Sequence, residues 1–382
     1  VTVAEKRIKG LIRMRLIVDC FKLVKGQGKS IGIYNLTKNL ITNLTQENQK
    51  TKQIEEIVVL GTEKNREDFE IPEVTFAEVL HDPSDKIQCV LWELFWVKKY
   101  VEKYNGDRVL FPRGYAPLFY GGKDTIIIHD LIPFYYHENY PGVFNSTENF
   151  YIMSRLKSSI KHADQVITIS EYSRSEIERR VPSAKGKVRV IYNGLNGLPS
   201  LREDKISEEK KTAYLCAMTS KLPHKNAKGI LEAYKAYWSK TEKPLPIKII
   251  GIESADQFGI GEAAKDVICY PYIKDDKELL EIIAGSRVFL FLSLIEGFGF
   301  PPLEAMQLGV PVICSDRTSL PEVIADAAVA VDPEKPEIIA DEIIRLLTDR
   351  ELCEMLIRKG RENYKRFDWD GIIRQYMEEL TR

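Results

Sequence analysis

The 382-residue sequence predicts an α/β protein made of two Rossmann-like, doubly wound halves. Three observations carry this expectation. Short apolar runs bounded by turn residues alternate with amphipathic helical stretches, as parallel strands buried on both faces require. The alternation runs once to about residue 192 and begins again near residue 212. Between the two runs, residues 198–211 are polar and charged with a proline, the composition of a linker. The length is also ample for two cores. The expected domains are 14–197 and 210–365, with a terminal helix, 366–382, returning to the first.

In chain order, residues 15–20 form the first strand. Gly26, Gly28 and Gly32 follow, then an apolar stripe of Tyr34, Leu36, Leu40 and Leu44 marks a helix. Gly28-Lys29-Ser30 lacks the earlier glycine of a phosphate-binding P-loop, since Leu23 stands there. The dinucleotide fingerprint fails at Ile31. A tight turn or a close approach to a ligand is what remains for these glycines. Residues 54–60 read as a strand and 90–104 as a helix with Trp92, Trp96 and three lysines. That helix is either a core element with a solvated basic face or a membrane-surface contact. Strands 125–130, 165–171 and 188–192 complete the half, with a helix from residue 173. They bring His129, Asp130, Ser170 and Glu171 to the carboxyl edge of the sheet, where such folds bind ligands.

The second half opens with strand 212–218, loop 219–226 and a helix to residue 238. Strand 247–250, a short strand near 267–269 and helix 277–284 precede the apolar run 288–295. A glycine-bearing loop, Glu296 to Phe300, leads into a short helix with Pro301 and Pro302 in its first turn. Gly309 suits its left-handed end. Strand 310–315 and helices 337–347, 350–364 and 371–380 finish the chain.

The composition excludes several classes. With 55 basic and 56 acidic residues the chain has no global attraction for nucleic acid. The six cysteines form no CxxC pair and sit in apolar runs, which predicts free thiols in a reducing, cytoplasmic setting. No apolar run reaches the roughly 18–20 residues that span a bilayer. Residues 1–13 are basic without the apolar core of a signal peptide, and read as an extension upstream of Met14. Asp368-Trp369-Asp370 and Asp275-Asp276 each open a helix and read as caps, so neither a metal nor a cofactor is expected.

The stretch 296–304 carries the chemistry. A glycine loop feeding a helix N-terminus offers free N–H groups and the positive end of a dipole, which suits phosphate. Glu296 and Glu304 flank it as acceptors for hydroxyls. Phosphate with several hydroxyls describes a nucleotide sugar. The two acids could instead serve a retaining glycosidase, but the intervening loop and Lys225 upstream favour a nucleotide donor.

This segment resembles the Glu-x7-Glu motif of glycosyltransferase family 4, retaining enzymes of GT-B fold, in which two Rossmann-like domains face across a cleft. Residues 129–133, 163–173, 190–194, 223–226, 319–322 and 367–369 are similar to other family segments in the same order. The resemblance implies a UDP- or GDP-sugar donor and an acceptor hydroxyl on a glycan or lipid-linked saccharide, handled at the inner face of the membrane. It places Glu304 on the ribose and Glu296 on the donor sugar, near the amides of Gly297, Phe298, Gly299 and Phe300. Lys225 meets the diphosphate, and Tyr272 and Ile273 the base. His129 lies by the donor sugar and acceptor, and Gly26 and Gly28 by the phosphates. The second basic residue of the family's clamp is Thr219 here, leaving Ser220 or Lys221 as stand-ins. Arg155, Lys157, Lys161 and His162, with helix 90–104, are the expected basic and aromatic membrane-docking surface. The alternative is a non-catalytic sugar-nucleotide-binding or partner subunit, suggested by the change at Thr219.

Overall fold

The computed structural model describes residues 14–26, 31–118, 120–143, 145–196 and 213–382. The linker expected at 198–211, Gly28 and residues 1–13 lie outside the described residues. The chain forms two compact units, divided between Gly194 and Leu195 and again between Asp368 and Trp369. Both are built on wholly parallel sheets, a GT-B-type arrangement of Rossmann-like halves.

In the first unit the strands are β1 (Met14–Asp19), β2 (Ile54–Gly61), β3 (Thr75–Glu78), β4 (Arg108–Phe111), β5 (Lys123–Ile128), β6 (Gln165–Thr168) and β7 (Val188–Val190). Their order is β3-β2-β1-β4-β5-β6-β7, so the direction of winding reverses between β1 and β4. Ile17, Val58, Val109 and Ile126, fully or almost fully buried, make the centre of its core. The helix Ile31–Thr51 follows the predicted stripe, with Leu36, Leu40 and Leu44 buried.

The predicted helix 90–104 begins earlier, at Lys86, capped by the Asp85 carboxylate, and passes through a π turn at Trp92–Trp96. Trp92, which opens that turn, is fully buried, as the core reading of this helix expects. Trp96 stacks on His81 at 3.9 Å. The aromatic residue exposed on this element is therefore Phe95. Arg155, expected on a docking surface, is only 5 % exposed. Its helix, Ser146–His162, turns that position inward, and Lys157, Lys161 and His162 outward. The docking surface expected from the sequence thus loses Arg155 and Trp92.

The last helix, Trp369–Thr381, belongs to the first unit and packs on Ile31–Thr51. Trp369 lies over Gly194, where a Cβ would come within 2.3 Å of the indole. Arg189 and Glu379 pair at 3.5 Å.

The second unit carries β8 (Leu215–Met218), β9 (Ile247–Ile250), β10 (Val267–Tyr270), β11 (Val288–Phe291), β12 (Val312–Ser315) and β13 (Val329–Val331). Their order, β10-β9-β8-β11-β12-β13, reverses between β8 and β11. Every side chain of β11 is buried, as its apolar run predicts. Among the described residues no helix is long and apolar enough to cross a membrane.

Candidate functional site

Loops leaving adjacent parallel strands on either side of a winding reversal open a crevice at the carboxyl edge of the sheet. In the second unit these are the loops after β8 and β11, and the structure joins them through the two residues singled out in them. Lys225 Nζ lies 2.6 Å from Glu296 Oε1. Glu296 is 9 % exposed.

Backbone and side-chain bonds fix this pair. The Thr219 hydroxyl donates to the Lys225 carbonyl at 2.7 Å. The Leu294 amide donates to the His224 carbonyl, tying the two loops together. Asn226 adopts left-handed φ of 55° and caps the helix Ala227–Lys240. Its amide group reaches the carbonyls of Leu292 and Pro333. Lys225 is thus held from both sides.

The loop after β12 supports Glu296. The Glu296 N–H donates to the Thr318 hydroxyl at 3.1 Å. The buried Ser319 hydroxyl lies 2.9 Å from the carbonyls of both Glu296 and Phe298. Thr318 holds φ of +59°, which a β-branched residue rarely adopts. Gly299 has φ of +123°, and a Cβ there would meet Leu320 at 2.6 Å. Glycine is the residue that fits. The helix Phe300–Gln307 then starts with both prolines in its first turn, and Gly309 follows it at φ of +69°.

Glu304 projects from that helix half-buried, and its carboxylate makes no side-chain hydrogen bond among the described residues. Burial, reinforced by the charge of Asp276, pushes its pKa up to about 7. Because the folded pKa exceeds the unfolded one, the protonated acid favours folding. This contribution is complete below the unfolded pKa of 4.5 and is lost as pH rises through about 7. Glu304→Gln, which stays neutral, is therefore expected to raise the melting temperature by a few degrees at pH 8. Near pH 5 it should leave the melting temperature unchanged. Scanning calorimetry at the two pH values checks this, and an equal shift at both would contradict it.

Other predicted residues are occupied differently. Lys221 pairs with Glu253 at 2.7 Å, and the Ser220 hydroxyl accepts from the Leu222 N–H. Neither supplies a second cation beside Lys225 in this structure. Ile273 is buried, whereas Tyr272 is exposed. In the first unit, His129 Nε2 lies 2.6 Å from the Pro112 carbonyl. This assigns the N–H to Nε2 and leaves Nδ1 as an acceptor. Burial lowers the imidazole pKa to about 4, so His129 is neutral at physiological pH. Asp130 accepts from the Ile132 amide, and Ser170 caps the helix Glu171–Arg180. That helix starts two residues before the predicted position. Gly26 takes φ of +77° in a turn with open space about it. Among the described residues no three His, Cys, Asp or Glu side chains gather as a metal site would require.

Sequence reasoning gave no role to Thr318, Ser319, Asn226 or Gly251. Asn226 and Ser319 lie in the family-like segments 223–226 and 319–322, and Gly251 is a glycine directly after a buried strand. There, φ is +109° and a Cβ would fall 1.9 Å from the Thr219 carbonyl oxygen.

Comparison with known proteins agrees with this fold. The profile of "Glycosyl transferases group 1" matches residues 201–363. That of "Glycosyltransferase Family 4" matches residues 39–196. Between them the two span most of the chain, and it belongs to the family 4 type of glycosyltransferase.

Among its relatives is the O-antigen chain mannosyltransferase B of Escherichia coli, 28% identical over 299 residues, covering 74% of each chain. The O-antigen chain mannosyltransferase RfbU of Salmonella typhimurium is 29% identical over 267 residues, covering 68% of this chain and 72% of its own. The crystal structure of Anabaena HepE in complex with UDP and glucose superposes with a TM-score of 0.67 at 16% identity. That match covers 97% of this chain and all of the other.

Proposed function

We propose that this glycosyltransferase moves a hexose, with retention and without a metal, from UDP- or GDP-sugar to a hydroxyl of a glycan or lipid-linked saccharide in polysaccharide synthesis. The reaction would take place at the cytoplasmic face of a membrane. The carrying observation is the Lys225–Glu296 pair on the glycine loop, with the unpartnered Glu304 carboxyl on the helix that follows. A diphosphate drawing Lys225 away would free Glu296 to accept from sugar hydroxyls, while Glu304 takes the ribose. Amides of residues 297–300 and the Lys225 ammonium would meet the charge that grows as the diphosphate leaves. Tyr272 and Ile273 would flank the base. In the retaining reaction the acceptor oxygen bonds to the anomeric carbon on the face the diphosphate leaves, and the departing diphosphate takes its proton. Neutral His129 would act on the acceptor side by orientation. The O-antigen relatives support polysaccharide synthesis and make mannose the first sugar to test, and HepE, bound to UDP and glucose, supports a nucleotide-linked donor.

Hydrolysis of UDP- and GDP-sugars by the wild type, Glu296→Ala and Lys225→Ala tests the reading. Each variant is expected to lose about a hundredfold or more in rate, the scale for removing a group that stabilises developing charge. Equal rates would remove the proposed site. Activity lost to EDTA and restored by magnesium or manganese would refute metal independence, and a product with inverted anomeric configuration by NMR would refute retention.

A further inference from the structure

The carboxyl edge of the first unit holds a second polar cluster, at the winding reversal between β1 and β4. Five segments meet there. Asp19, ending β1, accepts from the Trp92 indole at 3.1 Å and from the Phe21 amide. Lys22 lies 2.8 Å from the buried Glu93. Arg155 donates through Nη2 to the Ala116 carbonyl at 2.6 Å and lies 3.4 Å from the Glu93 carbonyl. His129 is bonded to the Pro112 carbonyl, one residue before Arg113.

Of the three cations in this cluster, Lys22, Arg113 and Arg155, only Lys22 is ion-paired among the described residues. Glu93 is taken by Lys22, and the Asp19 carboxylate by the indole and an amide. Asp130 accepts from the Ile132 amide. Arg155 is 5 % exposed, yet its Nε and Nη1 have no acceptor among the described residues. The Tyr151 hydroxyl beside it likewise has no hydrogen-bond partner there and is a further donor for an anion. Half-buried Arg113 makes no ion pair or side-chain hydrogen bond among the described residues, while its charge bears on Asp19, Tyr115 and His129. A guanidinium does not give up its proton, and a buried one without an anion is costly. Its planar fork matches carboxylate and phosphate oxygens.

We propose that this edge of the first unit binds an oxyanion, a phosphoryl or carboxylate group carried by the acceptor, through Arg113 and Arg155. Its assignment to the acceptor rests on the glycosyltransferase reading above; the anion site itself does not. Held there, the anion sets the acceptor near His129, whose Nδ1 carries no proton and can accept a hydrogen bond.

The test is a thermal-shift titration with inorganic phosphate and, separately, acetate at constant ionic strength. It uses the wild type, Arg113→Gln, Arg155→Gln and Lys225→Ala. An anion bound only by the folded chain raises its melting temperature in a saturable way. Saturation by phosphate alone identifies a phosphoryl group, and by acetate a carboxylate. A saturable shift that persists in Lys225→Ala lies outside the donor loop, one that Lys225→Ala abolishes overturns the proposal, and Arg113→Gln should weaken the persisting affinity about tenfold, the scale of one charge-assisted hydrogen bond. Arg155→Gln also removes the bond to the Ala116 carbonyl, so Arg113→Gln, which breaks no bond within the fold, carries the decision. No saturable shift with either anion, or undiminished affinity in Arg113→Gln, overturns the proposal. Stabilisation by UDP or GDP that Lys225→Ala abolishes tests the donor reading independently of this result.

Discussion

Gly251→Ala is expected to destabilise the second unit by about 3 kcal/mol or more, in the range of severe single substitutions. The new Cβ would lie 1.9 Å from the Thr219 carbonyl oxygen, a backbone atom. That backbone cannot easily give way, because the Thr219 amide donates to Ile250 at 2.9 Å and the Gly251 amide to Tyr270 at 2.7 Å. The substitution must also hold alanine at φ of +109°. Gly26→Ala separates the two costs, since Gly26 has φ of +77° but nothing near its Cβ position. It should lose only about 1 kcal/mol, the cost of a left-handed alanine. Denaturant unfolding of the two variants measures the difference, and similar losses would mean that the overlap relaxes freely. Because Thr219 holds the Lys225 carbonyl, Gly251→Ala should also weaken donor binding in whatever fraction stays folded.

The second large effect concerns Lys225 and Glu296. Lys225→Met leaves a carboxylate that is 9 % exposed without its cation. Breaking a buried pair from one side costs about 3–5 kcal/mol. Here Lys225 keeps 27% side-chain exposure, so about 2 kcal/mol is expected after solvent screening. Adding Glu296→Gln removes the stranded charge, and the double variant should recover most of that stability without recovering transfer activity. A double-mutant cycle by denaturant unfolding gives the coupling directly. Additive losses would show that the contact contributes nothing to the fold.

Much of this site was legible because its signals are local. The unbroken apolar run of β11 requires a strand buried on both faces, and the prolines after Gly299 suit only a helix start. Glu296 and Glu304 could therefore be placed from their immediate neighbours. Arg155 could not. A basic residue within an amphipathic helix reads as solvated, and only the carbonyl of Ala116, 39 residues away, explains why it is buried. Trp92 is buried, as the core reading of its helix expects, but the π turn that it opens leaves no periodic mark in the sequence.

By itself the sequence determined two parallel α/β halves, their order along the chain, and the glycine loop between its two acids. Those features depend on hydrophobic period and on backbone freedom at single residues, which neighbouring residues report. Only the tertiary structure decided that Lys225 meets Glu296 across 71 residues. It also decided that Thr318 is strained to carry the Glu296 amide, and that Arg113 and Arg155, near His129, make no ion pair among the described residues. Contacts of that kind depend on which strands become neighbours, and chain order does not encode that adjacency locally.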